Sequence, residues 1–135
     1  MRKILLLVVL TLSFGAFLHA DAHTTQKVSV LINKQKTIVK NKLTIKFVSL
    51  VEDSRCPTDV QCIQAGNAKI TIEVGGGKSA AKTFEINTNL QPQTVSYGGY
   101  EIKLTDLNPK PASNIRINPD GYTATFAVYK AGKSK

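Results

Sequence analysis

The feature that most constrains this fold is an alternation of apolar and polar residues with a period of two. Residues 69–74 are typical, because Ile70, Ile72 and Val74 alternate with polar side chains. A period of two gives a β-strand one apolar face, whereas an amphipathic helix requires a period of about 3.6. The alternation predicts strands at residues 27–32, 37–39, 43–51, 69–74, 83–87, 94–97, 100–107 and 122–129.

About eight short strands without a helical segment predict an all-β fold, either an antiparallel sandwich or a small barrel. Glycine runs at residues 75–77 and 98–99 are hairpin signals. Residues 48–51 are apolar on nearly both faces, which indicates a central strand. The alternation slips at residues 106–107, which predicts a bulge or a strand end. Residues 108–121 contain three prolines and are predicted to be a long polar loop.

The amino-terminal segment has the composition of a secretory signal. It begins with Met, Arg and Lys, continues with an apolar run from Ile4 to Leu18, and ends in small residues. The Ala20-Asp21-Ala22 exit predicts cleavage after Ala22, and cleavage after Ala20 is the alternative. A membrane anchor is less well supported, because an apolar run of about 15 residues is short for a span of about 20.

These boundaries divide the chain into a cleaved signal peptide at residues 1–22, a single β-domain at residues 23–129 and a basic flexible tail at residues 130–135. Because the sequence has no second long apolar run, we expect a chain that does not span the membrane. We therefore expect an exported protein, either periplasmic or secreted.

Both cysteines, Cys56 and Cys62, follow the predicted signal. In an oxidising compartment an isolated pair this close usually forms a disulfide, so we predict a disulfide-clipped loop. The chain-entropy gain for so small a ring is about 2.4 kcal/mol, enough to stiffen a loop but not to hold a fold. A zinc site or a redox pair is less well supported, because only His23 follows the predicted signal and five residues separate the cysteines.

The sequence offers little for catalysis. A Ser-His-Asp or Cys-His unit needs a histidine inside the fold, and His23 precedes the first predicted strand. The carboxylates Glu52, Asp53 and Asp59 are candidates for acid–base chemistry or calcium binding. A solvated loop whose aspartates accept main-chain N–H groups is the favoured interpretation. We predict no enzymatic activity and no cofactor.

One metal site depends on where the signal is cleaved. If cleavage follows Ala20, the new amino terminus is Asp21-Ala22-His23. Its amine, two amides and imidazole make a square-planar nitrogen set suited to Cu(II) or Ni(II), which resembles the amino-terminal copper- and nickel-binding motif. Cleavage after Ala22 removes this set, so it is a minor alternative.

The chain is strongly basic, with Lys plus Arg 18, Asp plus Glu 9 and a formal net charge of +9. Such a charge attracts phosphates, lipopolysaccharide, acidic glycans or nucleic acid, although a solubilising surface that guards an edge strand is the favoured alternative. Arginines are few and no aromatic residues alternate with the lysines, so specific nucleic-acid binding is not expected. The lysines are densest in a candidate polyanion patch, where a hairpin would bring the first four to one face: Lys34, Lys36, Lys40, Lys42 and Lys46.

Several stretches carry a family resemblance. They are D-S-R-C-P at residues 53–57, Q-C-I-Q-A-G-N-A at residues 61–68, the strand and loop at residues 100–111, and Y-x-A-x-F-x-V at residues 122–128. Together they resemble a family of small exported bacterial β-proteins with a D-S-R-C-P…C-x-W-A-G-x-A signature. Gln64 departs from it, at the position where the family usually carries Trp. The resemblance implies a bacterial envelope or secreted protein and implies no reaction.

The leading functional hypothesis is a non-enzymatic binding or structural module of the envelope, whose partner is a protein or an anionic envelope component. Recognition is expected from the clipped loop, because rigid β scaffolds commonly carry recognition on loops. A disulfide that only orders a long crossover between strands is at least as well supported. The alternative is a peptidase inhibitor that presents the loop as a stiff, extended segment. The exposed polar candidates on the loop are Arg55, Asp59, Gln61, Gln64 and Asn67.

Overall fold

The computed structural model describes residues 24–40 and 42–132. Within these ranges the chain forms eight β-strands and a short 3₁₀ helix at Pro119–Gly121, which confirms the predicted all-β class. The strands are β1 (Gln26–Leu31), β2 (Gln35–Ile38), β3 (Leu43–Asp53), β4 (Ala68–Gly76), β5 (Ser79–Asn87), β6 (Thr94–Tyr97), β7 (Tyr100–Asn108) and β8 (Thr123–Lys130).

The strands form two antiparallel sheets of four strands each. One sheet has the order β1-β8-β7-β6, and the other has the order β2-β3-β4-β5. Strands β1 and β6 are the edges of the first sheet, and β2 and β5 are the edges of the second. Because both sheets stay open, the sandwich prediction is correct and the small-barrel alternative is not.

The hydrophobic core lies between the sheets and follows from the alternation. In β4, Ile70 and Ile72 are fully buried while the residues between and beside them are only half-buried. In the facing sheet, Ile102, Phe126 and Val128 belong to the same cluster. Because each strand buries its apolar face here, the sequence pattern decides which face of each strand turns inward.

The connections between strands gather at the two ends of the sandwich. The loops at residues 54–67, 88–93 and 109–122 each follow an odd-numbered strand and lie at one end, which we call the loop end. The short turns at residues 77–78 and 98–99 follow even-numbered strands. They lie at the opposite end with the β2–β3 connection, and we call that end the turn end.

Strand β3 departs from strict alternation because its register against β4 shifts twice. The shifts fall between Phe47 and Ser49 and between Leu50 and Glu52. The residue left over by the second shift is Val51, which is 49% exposed. Strand β3 is a central strand, as predicted, and the two bulges interrupt the alternation in its second half.

Strand β7 is irregular at the predicted place, since its register against β8 shifts between Leu104 and Asp106. Strand β8 extends through Lys130, and the main-chain N–H of Ala131 donates to the carbonyl of Gly99 at 2.9 Å. Strand β8 therefore ends one residue beyond the predicted end of the β-domain.

The predicted signal peptide at residues 1–22 lies outside the described residues, as do the candidate metal-binding terminus at 21–23 and the last three residues of the predicted tail. In the part of the chain that the structure describes, no helix is long and apolar enough to cross a membrane.

Candidate functional site

The clipped loop is a long hairpin connection at the loop end. Strand β3 ends at Asp53, which pairs with Ala68 at the start of β4, so residues 54–67 join two neighbouring strands. The predicted disulfide between Cys56 and Cys62 is present, and the two Cα atoms lie 5.9 Å apart. The disulfide closes a small ring within the larger loop.

An ion pair anchors the first arm of this loop. The Arg55 guanidinium donates from Nε to Oδ1 of Asp53 (2.8 Å) and from Nη2 to Oδ2 (2.7 Å). It also donates to the carbonyl oxygens of Leu107 (2.6 Å) and Pro109 (2.9 Å). The Arg55 and Asp53 side chains are only 8% and 11% exposed. Because the pair is two-pronged and further hydrogen-bonded, it joins the end of β3 firmly to the end of β7.

The Asp53 carboxyl is held in its charged form. Burial alone would raise its pKa. The hydrogen bonds from Arg55, the charge of Arg55 and a hydrogen bond donated by the Tyr122 hydroxyl (3.0 Å) act in the opposite direction. Together they lower the pKa of Asp53 below its ordinary value. Burial, followed by the hydrogen bond to Asp53, raises the pKa of Tyr122. A carboxylate that is paired and charged at neutral pH supports the loop structurally and is poorly suited to act as a general acid.

A buried amide pair fixes the second arm of the loop. Asn67 is 4% exposed and donates through Nδ2 to Oδ1 of Asn87 at 2.9 Å. Its own Oδ1 accepts the main-chain N–H groups of Asn89 (3.0 Å) and Leu90 (3.2 Å). These bonds satisfy an amide that would be costly to bury alone, and they tie the clipped loop to the β5–β6 loop.

The two arms also bind each other where they leave the sheet. The N–H of Ser54 donates to the carbonyl of Asn67 (2.7 Å), and so does the Ser54 hydroxyl (2.9 Å). Gly66 has φ +69°, and a Cβ atom there would lie 1.8 Å from the carbonyl oxygen of Ser54. Only glycine combines this left-handed conformation with so close an approach.

The disulfide ring docks onto the β7–β8 loop. Oδ1 of Asp59 accepts the N–H of Ser113 (2.8 Å), and Oδ2 accepts the Ser113 hydroxyl. The N–H of Thr58 donates to the carbonyl of Pro111 at 2.9 Å. The hydrogen bonds from Ser113 lower the pKa of Asp59. Asp59 therefore accepts a main-chain N–H, as predicted, and holds the ring against a second loop.

Apolar side chains remain exposed on this braced loop. Ile63 is fully exposed and Val60 is 48% exposed, and we call these two residues the apolar tip. Neighbouring loops add Leu90 (59% exposed) and Ile115 (60%) at the same end. Exposed large apolar side chains that gather on one part of a surface are typical of interaction sites.

A hollow of about 240 Å³ lies beside the ion pair. Its lining includes Cys56 of the clipped loop, Thr88 of the β5–β6 loop and Asp106 of β7. The Arg55 side chain also lines it, but that guanidinium already donates to Asp53 and to two carbonyl oxygens. Arg55 is therefore poorly placed to bind an anion in the hollow.

Two of the predicted recognition residues have a different role. Arg55 and Asn67 are predicted to be exposed, but the structure buries both, so that prediction is wrong. The reason is that their partners, Leu107 and Asn87 among them, lie far along the chain, and the local sequence gives no sign of them.

The remaining predicted residues lie at the surface. Gln61 and Gln64 are exposed, and Asp59 is exposed while its carboxylate binds the neighbouring loop. Sequence reasoning missed Ile63. The available signal was an isolated large apolar residue directly after Cys62 in an otherwise polar segment.

The five lysines of the candidate polyanion patch do not all lie on one face of the sheet. Lys36 pairs with Ile45, and Lys46 is the next residue of β3, so the alternation turns Lys36 and Lys46 to opposite faces. Lys46 also pairs with Glu73 of β4. The other members lie just before and just after β2: Lys34, Lys40 and Lys42.

The three candidate carboxylates have different neighbours. Glu52 is exposed opposite Lys69, Asp53 is held by Arg55, and Asp59 binds the β7–β8 loop. Across residues 24–40 and 42–132, no group of three or more His, Cys, Asp or Glu side chains could hold a metal ion.

No family model matches this chain, and no curated protein or solved structure is significantly similar to it.

Proposed function

We propose that this chain is an exported, non-enzymatic binding module that recognises a partner protein of the bacterial envelope through its apolar tip. The observation that carries the proposal is that Ile63 is fully exposed on a loop fixed by a disulfide, an ion pair and buried amides. A large apolar side chain is stabilised by burial, so a framework that holds one in solvent favours binding.

The framework also lowers the cost of binding. Ordering a mobile loop on association consumes part of the interaction free energy, whereas a loop that is already ordered avoids that loss. Arg55 and Asn67 fix the two arms, and Asp59 fixes the ring. A partner that buries Ile63 gains about 1.5–3 kcal/mol from that side chain.

Export is supported by the composition of residues 1–22 and by the disulfide, since disulfides persist in oxidising compartments. The resemblance of the clipped loop to small exported bacterial β-proteins supports the same compartment. A non-catalytic role is supported by the carboxylates near the loop, because Asp53 and Asp59 are both occupied by hydrogen bonds.

Peptidase inhibition is less well supported than partner binding. An inhibitory segment enters a protease cleft in an extended form. Residues 57–60 instead form a turn, in which the N–H of Val60 donates to the carbonyl of Pro57 at 3.3 Å. A protruding apolar tip fits a surface pocket on a partner better than it fits a protease cleft.

The test is a binding measurement with the purified chain that starts at His23. Proteins captured from an envelope extract would be purified individually and titrated against wild type, Ile63→Asp and the control Leu31→Asp. Leu31 is 41% exposed on edge strand β1, so the control makes the same chemical change on a different element from the apolar tip. We expect Ile63→Asp to weaken binding at least about tenfold and Leu31→Asp to leave it unchanged.

Other outcomes would overturn the proposal. Partner binding that survives Ile63→Asp would remove the apolar tip as the site. Capture of anionic material alone, released by salt, would assign the interaction to the lysines. A dose-dependent loss of activity in a parallel protease assay would support the inhibitor instead.

A further inference from the structure

We propose that the turn end of the sandwich binds the surface of a lipid bilayer that carries anionic phosphate headgroups. Lysines from both sheets gather at this end. We call them the turn-end lysines: Lys27 on β1, Lys40 and Lys42 between β2 and β3, Lys78 and Lys82 at the β4–β5 hairpin, and Lys130 at the end of β8.

The strand register places these lysines at one end. In the first sheet, Lys130 pairs with Tyr100, the first residue of β7, and Lys27 pairs with Ala127 near the end of β8. In the second sheet, Lys82 lies on the hairpin arm next to the turn that carries Lys78. Lys40 and Lys42 lie in the short connection between β2 and β3.

Contacts between the sheets show that the two sets of turns lie side by side. The Tyr97 hydroxyl of β6 donates to the carbonyl oxygens of Ser79 (3.1 Å) and Ala80 (2.9 Å) on β5. The N–H of Val39 donates to Oε1 of Gln26 on β1 at 3.2 Å. The turn-end lysines therefore belong to one continuous end of the molecule.

The positive charge at this end is poorly compensated. In the described ranges the ion pairs involve Arg55, Lys69 and Lys110, and all three of these residues lie at the loop end. The carboxylates nearest the turn end in the register are Glu73 and Glu101, which are fewer than the lysines. None of the six turn-end lysines takes part in these ion pairs, and all six lie at the end opposite the apolar tip.

The arrangement of the lysines favours a surface over a linear polyanion. Neighbouring strands lie about 4.8 Å apart and packed sheets about 10 Å apart, so the lysines spread in two dimensions across the end of the sandwich. A plane of headgroups can contact all of these lysines together, whereas a linear polyanion would need lysines arranged in a row. Lysine acts as a point charge and needs no two-pronged partner, which suits mobile headgroups.

The chain outside the described residues also joins the fold at this end. Strand β1 begins at Gln26 and β8 ends at Lys130, both at the turn end. The sequence that follows contains Lys133 and Lys135, which add positive charge beyond the end of β8.

The test is vesicle sedimentation with the chain that starts at His23, which contains both complete sheets. Vesicles of phosphatidylcholine alone would be compared with vesicles that also contain phosphatidylglycerol. The test variant is Lys40→Gln/Lys42→Gln/Lys78→Gln, and the control variant Lys34→Gln/Lys69→Gln/Lys110→Gln removes the same number of charges outside the turn end. Thermal unfolding would show that both variants are folded.

We expect binding that requires phosphatidylglycerol and weakens as salt is added. At about fivefold per lysine, the test variant should bind about a hundredfold more weakly, and the control variant should change far less. An excess of inorganic phosphate should compete poorly with the vesicles, which separates an array of headgroups from a site for the free ion.

Several results would overturn the proposal. One is the absence of binding to the anionic vesicles at low salt, and another is equal loss in the two variants, which would mean that net charge alone matters. Equal binding to neutral vesicles would point to the apolar tip. Tight heparin binding by a chain that ignores the vesicles would assign the lysines to a glycan.

Discussion

Arg55 donates a 2.6 Å hydrogen bond to the carbonyl oxygen of Leu107, which lies 52 positions later in the chain. Because the same guanidinium is paired with Asp53, one side chain links the ends of two strands that belong to different sheets. The clipped loop is therefore attached to the fold by a buried ion pair at its base, in addition to the disulfide within it.

Replacing Arg55 should lower the free energy of unfolding far more than replacing the neighbouring Glu52. Arg55→Met would leave the Asp53 carboxylate buried without its partner, and breaking a buried pair in this way costs about 3–5 kcal/mol. Glu52→Gln, at an exposed position beside it, should change the free energy of unfolding by less than about 0.5 kcal/mol. Urea denaturation measures both values, and similar small losses would show that the pair is dispensable.

The same pair predicts a loss of stability in acid. The folded-state pKa of Asp53 lies below its ordinary value of 3.8, so its contribution is fully present above that value and is lost as pH falls through the folded-state pKa. The pKa values of Asp59 and Asp106 are shifted in the same direction. We expect the urea concentration at the unfolding midpoint to decrease as the pH is lowered below about 5. In Asp53→Asn this decrease should be less steep. Identical pH profiles for the two proteins would contradict this assignment.

Gly66 should tolerate substitution much less well than another glycine with positive φ. In Gly66→Ala the new Cβ would meet the Ser54 carbonyl oxygen at 1.8 Å, whereas at Gly98, with φ +57°, nothing lies within 4 Å. Gly98→Ala should cost about 1–2 kcal/mol for its backbone conformation alone. Gly66→Ala should cost at least about 3 kcal/mol or prevent folding. Equal thermal unfolding temperatures for the two variants would argue against the close approach.

Loss of the disulfide should loosen the loop without unfolding the domain. Cys56→Ser/Cys62→Ser should lower the free energy of unfolding by about 2.4 kcal/mol. The anchors at Arg55 and Asn67 remain, so we expect hydrogen-exchange protection to fall in the loop and to persist in the core strands. A globally unfolded double variant would show that the anchors depend on the disulfide.

The sequence pattern located every strand because each strand buries one face. In β4 the alternation is unbroken from Ala68 to Val74, and the predicted and observed bounds of the strand nearly coincide. The first half of β5 escaped detection, because residues 79–82 are small or charged and lie exposed at a sheet edge, where neither face carries an apolar pattern. The second half, with Phe84 and Ile86, packs on the core and was predictable.

The candidate site was predictable only where its contacts are local. The spacing of Cys56 and Cys62 is sufficient to predict their disulfide, because few other pairings exist. The burial of Arg55 depends on carbonyl oxygens of the β7 end, and these reach it only through the packing of the two sheets. Such long-range partners leave no trace in the spacing of neighbouring residues.

The β1–β8 register has a consequence for how the chain is connected. Gln26 pairs with Val128, so the first and last strands of the described chain are direct neighbours. A short linker between them, with new ends opened at the Gly98–Gly99 turn, would give a circular permutant with the same strand pairings. The pairing of these strands therefore does not depend on the order in which the chain joins them. The permuted chain should keep its loop end intact.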